Sequence, residues 1–373
     1  MFESVLVIYN CFQGDVERTH SWQESEESIL DEVNAVTASL GKLGIAFRQE
    51  PVRNLEHLGI ILQRSRQRLV FNLVEEFPNC IHDACLVPAI CRANGRAFTG
   101  SDTPALLLAQ NKWQTKAVLK AANIPCPDGV LIPVAKSIPA PQLTAGKYIV
   151  KPLFSDASEG IDTESIIEIP GRSFRKRVER IHSQLGQPAL VERFIPDREL
   201  NVSVLQYKDK MQVIAIAEID FSKFDAGQPR IVDYSAKWLP DTFAYNNTPR
   251  ILPAKISVET ARLVEKYSLD ACRLIDCSGY IRVDFRLDEK ENPYILEINP
   301  NPDISPDAGF AAALNYRGIS YEKFVEFMLE NAILNKTKTH SQVVKRVNRT
   351  SSESVKAAAE DRPTEGENIA YQL

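Results

Sequence analysis

Apolar runs of membrane length are missing from this 373-residue sequence. The longest, such as Val5 to Tyr9, match a strand and fall far short of the roughly 18 residues a spanning helix needs. No secretory leader is expected either: Glu3 stands where such a signal is basic, and no A-x-A-like cleavage site follows an apolar stretch, so the cytoplasm is the expected compartment. Positive charge is not in excess. Lys and Arg number 44 against 49 Asp and Glu, and the net charge of −5 leaves no broad field to draw nucleic acid or an anionic membrane. The seven cysteines contain no C-x-x-C pair, and an odd number in a long chain fits reduced, mostly buried thiols; a zinc set of Cys80, His82, Cys85 and Cys91 is the minor reading. No internal repeat is visible.

What is present is the composition of an ordinary folded chain, 44% hydrophobic and 25% charged, with length for two or three domains. Strand-like runs at 5–9, 45–49 and 69–74 alternate with helical patterns near 26–43 and 54–67, which is an α/β layer. In the first helix Ile29, Leu30, Val33, Val36, Leu40 and Leu43 recur at three-and-four spacing, and Gly44 suits the position just past its end. Ser101 to Pro104 opens another helix and closes a first domain over 1–104. Strands then dominate from about 148 to 235 around one helix near 173–185. A long helix near 257–276 precedes two strands and a closing helix near 320–334. These α+β stretches divide into 105–190 and 191–335. Residues 336–373, rich in Lys, Arg, Ser, Thr and Glu, read as a mobile tail that buries too little to offset its ordering entropy.

Alternation along YIRVDFRL puts Arg282, Asp284 and Arg286 on one face, and along YILEINPN it puts Glu297 and Asn299 together, opposite Leu296 and Ile298. A short hairpin loop, 288–292, brings both polar faces to one side, where Asp, Glu and Asn oxygens make a hard-donor set of the kind Mg²⁺ prefers. The competing reading is a surface ion-pair ladder. Lys151 ends the strand YIVKP ahead of a small-residue loop, 153–160, containing Ser155, Ala157, Ser158 and Gly160, whose backbone can approach a phosphate; a solvated strand-end lysine is the alternative. Asn111 to Gln114 reads as a capping box, so Lys112 falls in a first helical turn where the macrodipole disfavours a cation; either a polyphosphate compensates it or it is simply exposed. The backbone from Glu192 to Ile195, beside Phe194, offers N–H and C=O groups to a planar base, with Glu199 near enough for ribose hydroxyls; both glutamates otherwise read as surface residues.

In order, NKWQTK, YIVKP, LVERFIPDRELNVSVL, YSAKW, RVDFRLD and LEINPNP resemble the ATP-grasp enzymes, and within them the D-alanine–D-alanine ligase-like group, over roughly residues 95–334. The resemblance implies an ATP-grasp fold, α/β and α+β, with a Rossmann-like N-terminal domain. It implies an ADP-forming ligase that joins a carboxylate to an amine through an acyl phosphate. Its cofactors would be ATP and Mg²⁺ or Mn²⁺, two ions. Its partners would be the two small-molecule substrates, with no nucleic acid or membrane and with a homodimer left open. Carried over, Lys112 and Lys151 match phosphate lysines, with Ser158 in the adjoining loop. Glu192 with the backbone of Arg193 and Ile195 matches the adenine hinge, and Glu199 the ribose ligand. Lys237 matches a mobile-loop lysine at the γ-phosphate, the loop being 221–252, and Arg282 the arginine that steadies the acyl phosphate. Asp284, Glu297 and Asn299 match the metal ligands.

The substrate end departs from the pattern. Asn72 to Glu76 replaces a His-Gly pair, Ala308, beside Asp307, replaces a serine whose hydroxyl holds a carboxylate, and Trp238 replaces a tyrosine. Glu27 is the candidate for an amine-recognising glutamate, and Trp22 with residues 10–20 is an alternative pocket lining. D-Alanine is therefore not the expected substrate. The competing functions are peptidoglycan D-Ala-D-Ala synthesis, another ATP-grasp reaction on a thiol or in carboxylation, and a silent nucleotide-binding protein. The last would have lost a metal carboxylate or a phosphate lysine, and neither is lost.

Overall fold

The computed structural model describes residues 4–11, 20–77, 80–135, 138, 143–156, 158–196 and 198–336, with backbone alone over 20–28. The expected tail beyond Lys336 and most of the 10–20 segment lie outside the described residues, as do the side chains of Trp22 and Glu27.

Four parallel strands, β1 (Val5–Asn10), β2 (Phe47–Val52), β3 (Leu69–Leu73) and β4 (Ala97–Phe98), run in the order β2-β1-β3-β4. Val5, Leu6, Val7 and Ile8 are all fully buried because both faces are covered, which is why this strand reads as an unbroken apolar run. On one side lie α1 (His20–Lys42), through Val33, Val36 and Leu40, and a C-terminal helix over 321–336. On the other lie α2 (Leu55–Arg64) and α3 (Val87–Ala93). Gly44 takes φ +68° just past α1, and Ile45 N–H donates to Leu40 O at 2.9 Å. Ile45 is thereby spent on closing the helix, and β2 begins two residues later than the apolar pattern predicts.

Helices α4 (Thr103–Gln110), capped by Asp102, and α5 (Lys112–Ala121), capped by Asn111, lead to a second sheet of β5 (Gly129–Ile132), β6 (Gly146–Pro152), β7 (Ile166–Ile169) and β8 (Ala189–Arg193), ordered β5-β8-β6-β7. Helix α6 (Ser173–Leu185) covers it with Phe174, Val178 and Ile181. The division expected at 190/191 runs through β8, whose partners are β5 and β6, so the chain changes sheet after Arg193.

The third sheet has the order β11-β10-β9-β12-β13, made of β9 (Arg198–Tyr207), β10 (Lys210–Ile219), β11 (Arg250–Ile251), β12 (Tyr280–Leu287) and β13 (Pro293–Asn299). Between β10 and β11 stand the short helices α7 (Tyr234–Trp238) and α8 (Phe243–Asn246), and α9 (Val258–Leu274) precedes β12. Leu200, Val202 and Val204 of β9 and Ile281, Val283 and Phe285 of β12 pack with Val264 and Ala271 of α9. Alternation leaves Glu199, Asn201, Arg282, Asp284 and Arg286 on the opposite face. Helices α10 (Gly309–Tyr316) and α11 (321–336) tie this sheet to the first one through Phe310, Leu314, Phe324 and Met328. Among the described residues no helix is long and apolar enough to cross a membrane.

Candidate active site

The polar face of the third sheet, the inner edge of the second and the 221–252 connection line one cleft. Its wall includes Lys112, Lys151, Ser158, Glu192, Arg193, Ile195, Glu199, Lys237, Arg282, Asp284 and Glu297. Asn299, Trp238, Asp307 and Ala308 are not in that wall, although Gly309 is. Ala308 is the N-cap of α10 and has no side chain to cap it.

Lys112 stands at the head of α5, where Asn111 Oδ1 accepts from Gln114 N–H at 3.0 Å. Its ammonium donates to Ser155 O at 2.6 Å and lies 3.5 Å from Asp156, so the 153–160 loop supplies the compensation that the helix dipole demands. Lys151 makes an ion pair with Glu192, and Lys116, one turn beyond Lys112, lies 3.2 Å from the other oxygen of that carboxylate while donating to Leu296 O at 2.7 Å. All three side chains are at most 7% exposed. Two ammonium groups share one carboxylate, so a positive charge is left over. Burial lowers Lys116, with Lys151 adding to the drop, whereas the two lysines outweigh burial at Glu192 and keep it ionised. Sequence reasoning passed over Lys116, although its position four residues after Lys112 and three before the buried Leu119 was a signal.

At the hinge, Arg193 N–H donates to Asp128 O at 2.7 Å and Phe194 N–H to Lys147 O at 3.0 Å. Ile195 N–H has no hydrogen-bond acceptor among the described residues, which leaves it as the donor available to a base. Glu199 accepts from Arg286 Nη1 at 2.9 Å. Burial still raises the Glu199 carboxyl despite that arginine.

The register pairs Asp284 with Glu297 and Arg282 with Asn299. A bulge after Asp284 leaves Leu296 without a ladder partner and turns it into the cleft wall, contrary to the strict alternation expected for β13. Asp284 accepts from Asn201 Nδ2 at 2.8 Å and from Arg282 Nε at 2.9 Å, and Arg282 Nη2 lies 3.8 Å from Glu297. Burial raises Asp284 in spite of Arg282, with Glu297 adding to the rise. At Glu297 burial is outweighed by Lys112, Lys237, Arg282 and Lys151, which hold the carboxyl well below its usual range. Paired across the ladder, the Asp284 and Glu297 carboxylates are hard oxygen donors of the kind that could hold Mg²⁺. Asn299 differs: its Oδ1 accepts from Asn301 N–H at 2.9 Å. Asp156, which the sequence did not single out, also faces this cluster.

Ser158 Oγ donates to Val232 O at 2.7 Å and Tyr234 N–H to Ile161 O at 3.1 Å, so the 221–252 connection is fastened to the loop after β6. Asp233 caps α7 by accepting from Ala236 N–H, which aims Lys237 at the cleft. Burial lowers Lys237, and Arg282 adds to it.

A family model described as D-ala D-ala ligase C-terminus matches residues 149–330. An uncharacterised protein, y4sG of Sinorhizobium fredii, is 28% identical over 264 residues, 71% of this chain and 74% of that protein. A D-alanine–D-alanine ligase of Carboxydothermus hydrogenoformans is 31% identical over 241 residues, 62% of this chain and 72% of that enzyme. The chain belongs to the D-alanine–D-alanine ligase-like family. With the family comes its enzyme class, an ATP-dependent ligase that forms a C–N bond. The fold is ATP-grasp: a crystal structure of D-alanine–D-alanine ligase from Bacillus anthracis complexed with ATP superimposes with a TM-score of 0.67 at 16% identity, covering 90% of this chain and 99% of that one.

Proposed function

We propose that this ligase joins a carboxylate to an amine through an acyl phosphate, with Mg²⁺ or Mn²⁺, on an amino-acid or peptide-like substrate other than D-alanine. The observation that carries the reading is the meeting of Lys112, Lys151, Lys237 and Arg282 with the Asp284 and Glu297 carboxylates in one cleft. Transfer of a γ-phosphoryl group asks for positioning and neutralised charge more than for covalent help, and these groups meet that need. Ile195 N–H would receive the base and Glu199 the ribose, Lys112 and Lys151 the inner phosphates, and Lys237 the γ-phosphate. Metal ions held by Asp284 and Glu297 would neutralise the phosphate oxygens. Arg282, held by both carboxylates, is placed to steady the acyl phosphate and the tetrahedral species after amine attack. The fastened 221–252 connection keeps water from that intermediate. Ala308 supports a substrate other than D-alanine, since a methyl group donates no bond to a carboxylate.

The test is amine-dependent ADP release with ATP, Mg²⁺ and pooled amino acids, the amide products being identified by mass spectrometry. Release with a product other than D-Ala-D-Ala is the expected result. Formation of D-Ala-D-Ala at a kcat/KM of about 10⁴ M⁻¹s⁻¹ or more puts D-alanine–D-alanine ligation, the activity named for the relatives, in its place. No release with any amine removes the ligase reading.

A further inference from the structure

The guanidinium groups of the cleft differ in one respect. Arg282 is held by Asp284 and Glu297, and Arg286 by Glu199 and the carbonyl of Arg230. Arg250 also lines the cleft, yet among the described residues its guanidinium makes no hydrogen bond and no ion pair within 4 Å. It opens the edge strand β11, opposite Ile219, far along the chain from the strand motifs. Its guanidinium lies against the backbone of Gly309: a Cβ built on that glycine would sit 3.3 Å from Nη2 and 3.5 Å from Nε. Gly309 directly follows Ala308, whose methyl group has no bond to give. The acids that act on Arg250 through space, Asp307 and Asp303, do not close on it. The lysines assigned to the inner phosphates stand on β6 and α5, whereas the neighbour shown beside the Arg250 guanidinium is Gly309 at the start of α10.

We propose that Arg250 is a specificity-determining residue that holds the carboxylate of an amino-acid-like substrate, taking over at the Gly309 end of the cleft the task a hydroxyl at position 308 cannot perform. A guanidinium with its donor fork free is matched to a carboxylate by two parallel N–H···O bonds, whereas its charge alone would not orient the ligand. Because the fork is already placed, an acid binds there in preference to its neutral carboxamide. The inference rests on the ligase reading for the reaction that follows, but its binding test does not need turnover.

The experiment is calorimetric titration of the full chain, with a non-hydrolysable ATP analogue and Mg²⁺ present, by a panel of D- and L-amino acids and their α-carboxamides. The expected result is at least one amino acid that binds about tenfold or more tighter than its carboxamide, with the preference lost in Arg250→Gln and partly kept in Arg250→Lys. Affinity for the ATP analogue and the melting temperature stay at wild-type values in both variants. No preference for acid over amide across the panel, or a preference that survives Arg250→Gln, overturns the proposal. Preference without ADP release leaves the proposal standing and removes the ligase reading; ADP release without preference does the reverse.

Discussion

The two ends of the cleft answer their charges differently. At the end that we assign to the nucleotide, Lys112 is met by Ser155 O and Asp156, Lys151 and Lys116 by Glu192, and Glu199 by Arg286. At the end that we assign to the acceptor, the Arg250 side chain stands without such a partner, and the helix that follows Ala308 has no side-chain cap. A site that meets one invariant ligand is served by a frame whose side chains the protein itself already holds. A site that selects a substrate leaves its donors free, because each protein partner would have to be displaced before the ligand gained anything.

The largest effect expected from breaking the nucleotide frame is at Glu297. Glu297→Gln replaces a hard anionic ligand by a neutral one and lowers turnover by roughly 10³-fold or more, with unchanged circular dichroism and melting temperature; turnover near wild type would dissolve the assignment. Glu192→Ala comes next. It strands the ammonium groups of Lys116 and Lys151 in a buried site, and urea unfolding is expected to register a loss of about 3–5 kcal/mol, whereas a loss below about 1 kcal/mol would mean the triad behaves as a surface pair.

At the other end the expected changes are smaller. Ala308→Ser restores a hydroxyl beside Gly309 and raises kcat/KM for D-alanine by about tenfold over a wild type that uses it poorly; equal use of D-alanine by both proteins counts against this account of the acceptor end. The smallest effect concerns Glu32, on α1 outside the cleft wall, which is 2% exposed and accepts from Ile304 N–H at 3.0 Å. Burial raises its carboxyl, and Glu75 and Asp303 raise it further. A carboxyl raised on folding costs nothing while protonated in both states, and stability is lost as pH rises through the raised value. Glu32→Gln is therefore expected to melt with wild type at pH 4 and above it at pH 9; a gap of equal size at both pH values would refute the shift.

Much of the frame was legible because it depends on local patterns. Helix α6 falls at 173–185 where a helix is expected, Asp102 and Asn111 cap their helices as their side chains allow, and Gly44 takes the left-handed turn. Lys116 was less legible, since its burial comes from β13, about 180 residues away, whose Leu296 carbonyl receives it. Arg250 carried no signal at all: an arginine on a two-residue edge strand looks like any solvated charge until Gly309 is seen beside it.

Sequence alone determined which side chains share a strand face and which residues open and close helices, because a period of two or 3.6 and a capping hydrogen bond involve only neighbours in the chain. It therefore determined part of the cleft wall as a set of faces: Arg282 with Asp284, Glu297 near its hairpin partner, and Lys151 at a strand end. Tertiary structure decided what only distant segments decide together. It placed β8 in the second sheet, turned Leu296 into the cleft through a bulge, bonded Asn301 N–H to the Asn299 oxygen, and set an uncommitted Arg250 side chain against the start of α10. Burial and charge balance are sums over everything that packs nearby, and no short stretch of sequence contains its own surroundings.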